Sequence, residues 1–165
     1  MTLPASGPLS LTDVAAELGL SATGLSLGHQ WVRQLAGQPY GSGTPVSYSG
    51  LRGQSAQFTG NVTFTMSSSN YGFVSSGSFA CPFFGASTAS INNQGDFSGS
   101  TPELVFAQAP NWVGNIILIN NGVGQTTLTK VNATTWRGVG QNDTVPGGAL
   151  PGGGTITKTM LIRPA

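Results

Sequence analysis

The spacing of apolar side chains changes character near residue 56. Upstream it is helical. In the stretch Leu9-Ser-Leu-Thr-Asp-Val-Ala-Ala-Glu-Leu-Gly19, Leu11, Val14 and Leu18 recur at intervals of three and four, which lines one face of a helix. Ser10 and Thr12 are candidate N-caps, Asp13 and Glu17 suit early helical positions, and Gly19 is a natural stop. A second unit, Gly24 to Gly37, sets Trp31 or Val32 against Leu35 and closes at Gly37. The two units open alike, Pro8-Leu-Ser-Leu11 and Gly24-Leu-Ser-Leu27, at an offset of 16 residues. A third, shortened copy starts at Val46 and runs to Gly53. Isolated helices shorter than about 12 residues are marginal in water, so the segment 1–55 needs a surface to fold against.

From Ala56 onward the pattern becomes short apolar or Thr-rich runs broken by Gly, Asn and Ser. Strands are predicted near 57–66, 71–74, 77–84, 88–91, 103–107, 115–120, 125–131, 134–139 and 155–162. Thr63-Phe64-Thr65-Met66 and the run Thr155 to Met160 alternate, giving one buried and one wet face. Ile116-Ile-Leu-Ile119 is continuous and predicts a central strand buried on both faces. Asn120 to Gly124 predicts a hairpin turn into Gln125-Thr-Thr-Leu-Thr129. Val145 to Gly154, rich in Pro and Gly, predicts a loop. Many short strands with Gly-rich turns and no second helical run favour a mainly β fold, an antiparallel β-sandwich or jelly-roll-like domain over 56–165.

Charge is the compositional outlier. Asp, Glu, Lys and Arg make up 7% of the 165 residues, against roughly 25% in ordinary domains. A surface solvated by hydroxyls, amides and backbone is poorly guarded against association, which suits a secreted domain or a subunit built to assemble. Lys130, Arg137, Lys158 and Arg163 are too dispersed to track a phosphate backbone, so no nucleic-acid partner is expected. No run approaches the roughly 20 apolar residues of a membrane span. Met1 to Pro8 has neither a basic nor an apolar signal region, so synthesis and folding in the cytoplasm are expected. The lone Cys81 has no bridging or metal-binding companion at the usual spacing, and its apolar surroundings suggest buried filler.

The opening residues Met1-Thr-Leu-Pro-Ala-Ser-Gly-Pro-Leu-Ser-Leu-Thr-Asp13, the second Leu25-Ser-Leu27 unit and the closing Leu51-Arg-Gly53 resemble the N-terminal leader of tailed-bacteriophage tail and virion structural proteins. The resemblance covers roughly the first third of the chain and stops near Ser55. It implies a tail, baseplate, neck or fibre-associated subunit, made in the host cytoplasm and carried on the virion, whose leader attaches it to the particle. Other virion proteins and further copies of the chain are the implied partners. On this view the docking residues are Leu9, Leu11, Val14, Leu18, Leu25, Leu27, Trp31, Val32, Leu35, Leu51 and Arg52. The same side chains could instead pack on the chain's own β domain, or do both if leaders are exchanged between protomers.

Catalytic chemistry would need converging acids, bases or nucleophiles. Asp13 and Glu17 are accounted for on the first helix, and Asp96, Glu103 and Asp143 are scattered. His29 is the only histidine and reads as a capping or exposed residue of the second helix. No phosphate loop or calcium loop occurs. A non-enzymatic chain without cofactor or metal is expected. The rival class is a module that binds host-surface glycans, or a capsid decoration protein. Tyr71, Phe73, Trp112 and Trp136 could stack on sugar rings. Their alternative role is core or inter-subunit packing. Trp112, after Ala109-Pro-Asn111, is the best candidate for an exposed contact, and Trp136 is expected to be buried.

Overall fold

A computed structural model of the chain describes residues 2–69, 72–79, 83–86, 89–96, 99–121, 124–138 and 154–165. Three short helices come first: α1 (Leu11–Leu18), α2 (Gln30–Leu35) and α3 (Tyr48–Leu51). The local chemistry expected of α1 is present. The Ser10 hydroxyl accepts from the Asp13 backbone N–H at 3.2 Å while the Asp13 carboxylate accepts from the Ser10 N–H at 2.8 Å, a reciprocal capping box. Those bonds hold the Asp13 carboxyl below its ordinary range. Gly19 adopts the left-handed conformation, φ 68°, that ends the helix. His29 is the N-cap of α2, its Nδ1 accepting from the Trp31 N–H at 3.3 Å.

Among the described residues eight strands follow: β1 (Phe58–Ser69), β2 (Gly72–Phe79), β3 (Ala89–Asp96), β4 (Gly99–Phe106), β5 (Ile116–Asn120), β6 (Gly124–Lys130), β7 (Thr135–Arg137) and β8 (Gly154–Pro164). The mainly β antiparallel domain behind a short-helix segment is therefore what the chain forms. Its facing walls belong to one continuous sheet that curls round and closes in the order β1-β2-β3-β4-β7-β6-β5-β8. Closure occurs because β8 pairs with β5 on one side and β1 on the other, and because the short β7 bridges the ends of β4 and β6.

The pleat sends alternate side chains inward. Cross-strand register lines up Phe64 with Gly77, Gly77 with Ile91, Ile91 with Leu104 and Leu104 with Trp136. Phe64, Ile91, Leu104 and Trp136 are fully buried, together with Val62, Ile116, Leu118, Leu128, Met160 and Ile162. Gly77 is needed in that row, because a Cβ there would sit 2.6 Å from Val62 Cγ1 and 3.1 Å from the Phe64 ring. The two strands predicted at 71–74 and 77–84 are accordingly one strand, β2, running through the glycine.

Two further expectations need correcting. Ile116–Asn120 is not buried on both faces: Ile116, Leu118 and Asn120 face the core, whereas Ile117 and Ile119 are half-buried on the outside. β3 and β4 extend through Asn92–Asp96 and Gly99–Thr101, polar stretches with no apolar alternation to announce them. The predicted loop at 145–154 lies, apart from Gly154, outside the described residues, and so do Cys81 and Tyr71.

Candidate functional site at the leader–barrel junction

The side chains expected to dock on a neighbour are buried against the chain's own barrel. Val14, Leu18, Val32, Leu35 and Leu51 are each at most 1% exposed and share one apolar cluster with Phe64, Ile91, Leu104, Trp136 and Ile162. Leu9, Leu11, Leu25, Leu27 and Trp31 are partly buried against the same cluster. Arg52 is half-buried, with its Nη1 enclosed and making no hydrogen bond. Of the placements open to these residues, packing on the chain's own β domain is the one found here. Helices of eight, six and four residues cannot hold their apolar faces in water, and the nearest apolar surface is that of the following domain.

Two polar hubs fix the register of this packing. Glu17, fully buried at the foot of α1, accepts through Oε1 from the Ala56 N–H at 2.8 Å, the Gln57 N–H at 3.0 Å and the Ser55 hydroxyl at 3.1 Å. Gln57 answers by donating through Nε2 to the Ala16 and Glu17 carbonyls at 2.8 and 2.7 Å, which satisfies two of the carbonyls a helix end leaves open. Burial pushes the Glu17 carboxyl above its ordinary range, against the opposing pull of the Ala56 and Gln57 N–H groups. The second hub is Asn111. Its Nδ2 donates to the Gln34 and Gln38 carbonyls at 2.7 and 2.8 Å, while its own carbonyl accepts from Gln34 Nε2 at 3.2 Å.

Aromatic rings run continuously through the junction. Trp31 meets Trp112 edge-on at 4.9 Å, Trp112 stacks on Phe84 at 4.7 Å, and Phe84 meets Phe83 at 4.9 Å. Phe83 then stacks on Phe106 at 5.5 Å, which meets Trp136 at 5.4 Å. Lys130 lies 4.9 Å over the Trp136 ring and donates to the Trp112 carbonyl at 2.9 Å, and burial lowers its pKa. Phe84 is the one non-glycine residue with positive φ among those described, at 44°. Such a conformation persists only where its surroundings hold it. Here the Phe84 N–H donates to the Ser55 carbonyl at 2.7 Å, and the Phe84 carbonyl accepts from the Asn111 N–H at 2.9 Å. The turn Phe83–Ala86 therefore clamps the end of the leader to the loop after β4.

Trp112 is 1% exposed, and its indole N–H donates to the Asn115 carbonyl at 3.0 Å. The expectation that it is an exposed ligand contact is overturned: a tryptophan in a loop can be as enclosed as one in a strand when another segment covers it. Phe73 lies in β2, Tyr71 is outside the described residues, and Trp136 is buried as expected. Sequence reasoning missed Glu17 and Asn111 as organisers. Glu17 looked like an ordinary first-helix carboxylate, and Asn111 like a turn residue. The only available signal was the placement of Glu17 one residue before Leu18, next to the apolar face.

Among the described residues, no three His, Cys, Asp or Glu side chains gather, and no helix is long and apolar enough to cross a membrane. The arrangement offers cohesion: a buried carboxylate, a half-buried amide and six rings binding two segments into one body. The chain matches no protein-family model, no curated protein and no solved structure.

Proposed function

We propose that the chain is a structural subunit of a tailed-phage virion, in the tail, baseplate, neck or a fibre-associated position, working by assembly and without catalysis. The observation that carries this reading is the leader. Its Leu-Ser-Leu and Leu-Arg-Gly elements, which resemble those of phage virion proteins, supply Leu9, Leu11, Leu25, Leu27 and Leu51 to the packing against the barrel. On this reading the leader braces a rigid unit, and contacts with other virion proteins or further copies fall to the exposed surface. A surface with few charges supports assembly, because little like-charge repulsion keeps copies apart.

The test is quantitative mass spectrometry of purified particles from the host that makes this chain. A fixed, small copy number is expected for a tail, baseplate or neck part. Hundreds of copies per particle would instead indicate a capsid decoration protein. Absence from purified particles would sink the virion reading. The glycan-binding alternative loses its best residue, since Trp112 is enclosed by Trp31, Phe83 and Phe84.

A further inference from the structure

Over its described residues β1 is paired with β2 on one side and β8 on the other, so a contact between subunits through these two strands uses their outer face. Towards the start of β8 the outer face of β1 and β8 carries hydroxyls and one amide. Thr59, Asn61, Thr63 and Thr65 on β1, and Thr155, Thr157 and Thr159 on β8, are all exposed. The register sets Asn61 opposite Thr159, Thr63 opposite Thr157 and Thr65 opposite Thr155. The Thr63 and Thr157 hydroxyls lie 2.9 Å apart, and the Thr159 hydroxyl donates to Asn61 Oδ1 at 2.8 Å, so the rank is laterally ordered. None of the seven carries a charge. Beside them the row Thr59–Leu161–Ile119–Gln125 adds half-buried Leu161 and Ile119.

We infer that this face is a two-fold contact between copies of this chain. In a two-fold contact each patch meets itself. A charged patch would bring like charges together, whereas an uncharged one does not. A threonine hydroxyl is both donor and acceptor, as is an asparagine amide, so a rank of them is its own complement after rotation of the hydroxyls. A face of carboxylates or ammonium groups has no such option. At about 4.8 Å between strands and about 6.7 Å between outward residues, the rank covers a few hundred Å2. That is less than the roughly 800 Å2 per partner of a standard stable interface. The contact is therefore weak for the free chain and becomes firm where a particle holds neighbours at high effective concentration. In its biological use the inference rests on the assembly role proposed above.

Sedimentation equilibrium of the full chain, up to about 1 mM where contacts of only about 4 kcal/mol register, tests it. Reversible dimerisation is expected, weakened at least tenfold in the double variant Thr63→Lys/Thr157→Lys and unchanged in Tyr40→Ser/Val113→Ser, which alters exposed apolar side chains elsewhere. As a second probe, mild oxidation of the Thr157→Cys variant should yield a covalent dimer that the parent chain, with Cys81 alone, does not form. A strictly monomeric chain, association indifferent to the two lysines, or failure of the Thr157→Cys variant to cross-link would overturn the contact. So would a monomeric chain that binds a neutral polysaccharide such as dextran through these threonines. If the chain is found in particles and the lysine variant is incorporated normally, this contact falls and the virion reading stands. Self-association through this face in a chain absent from particles does the reverse.

Discussion

In the barrel each strand has a paired neighbour on either side over at least part of its length, and the backbone bonds are made within one sheet. The leader has no such support. Its longest helix has eight residues, its segments do not pair with one another as strands, and its order comes from a few contacts to the barrel. Those contacts are of two kinds: apolar burial of Val14, Leu18, Val32, Leu35 and Leu51, and two polar hubs at Glu17 and Asn111. The difference teaches that a segment can carry a recognisable helical pattern and still be structurally a part of the domain that follows it. It also shows why the dependence runs both ways, since on the barrel side Trp112 meets Trp31 of the leader edge-on and the Phe84 N–H donates to the Ser55 carbonyl.

That mutual dependence can be broken most severely by deleting residues 1–55. The truncated chain is expected to be insoluble or molten, because the deletion exposes a large apolar surface; a soluble barrel with a cooperative thermal transition would show the leader to be an accessory. Trp112→Ala is the next largest perturbation. Removing a fully buried tryptophan costs on the order of 3–5 kcal/mol, read as a drop in denaturant midpoint, and a loss below 1 kcal/mol would mean that the ring network does not join the two regions.

Glu17→Ala should cost roughly 2–4 kcal/mol, since the Ala56 and Gln57 N–H groups and the Ser55 hydroxyl lose their acceptor. Glu17→Gln keeps an acceptor and sharpens the point through pH. The folded-state pKa is raised above the unfolded value. The carboxyl's contribution is therefore fully present below about pH 4.3 and is lost as pH rises through the raised value. The midpoint of the parent chain should fall across that window, and that of Glu17→Gln should stay nearly flat. A parent midpoint that rises there would overturn the assignment. Smallest is Ser10→Ala, which removes the α1 cap and should cost about 1 kcal/mol, visible as faster amide exchange confined to Leu11–Leu18; exchange spreading into β1 would show tighter coupling than the contacts imply.

The caps of α1 and α2, the left-handed stop at Gly19 and the alternation of β1 and β8 were legible in the chain. Each depends on residues within one turn or one pleat of each other. The beginning of the barrel near Ala56 was legible for the same reason, because the period of the apolar pattern changes there. The extension of β3 and β4 through Asn92–Asp96 and Gly99–Thr101 was not, because those residues become strand by pairing with each other and with β2, and pairing between polar segments leaves no periodic trace. Ser75 and Ser76 read as a break between two strands, with Gly77 opening the second. Only the presence of Val62 and Phe64 across the sheet makes a glycine the residue that fits.

By itself, then, the order of residues determined where the helices start and stop, where the strand pattern begins, and how few charges the chain carries. The tertiary structure alone decided that the sheet closes through β8, that the leader folds back onto its own barrel, and that Glu17, Asn111 and Trp112 meet in the seam. Local propensity is set by neighbours in the chain, whereas those outcomes are set by residues tens of positions apart, brought together by the burial of surfaces that neither region can cover alone.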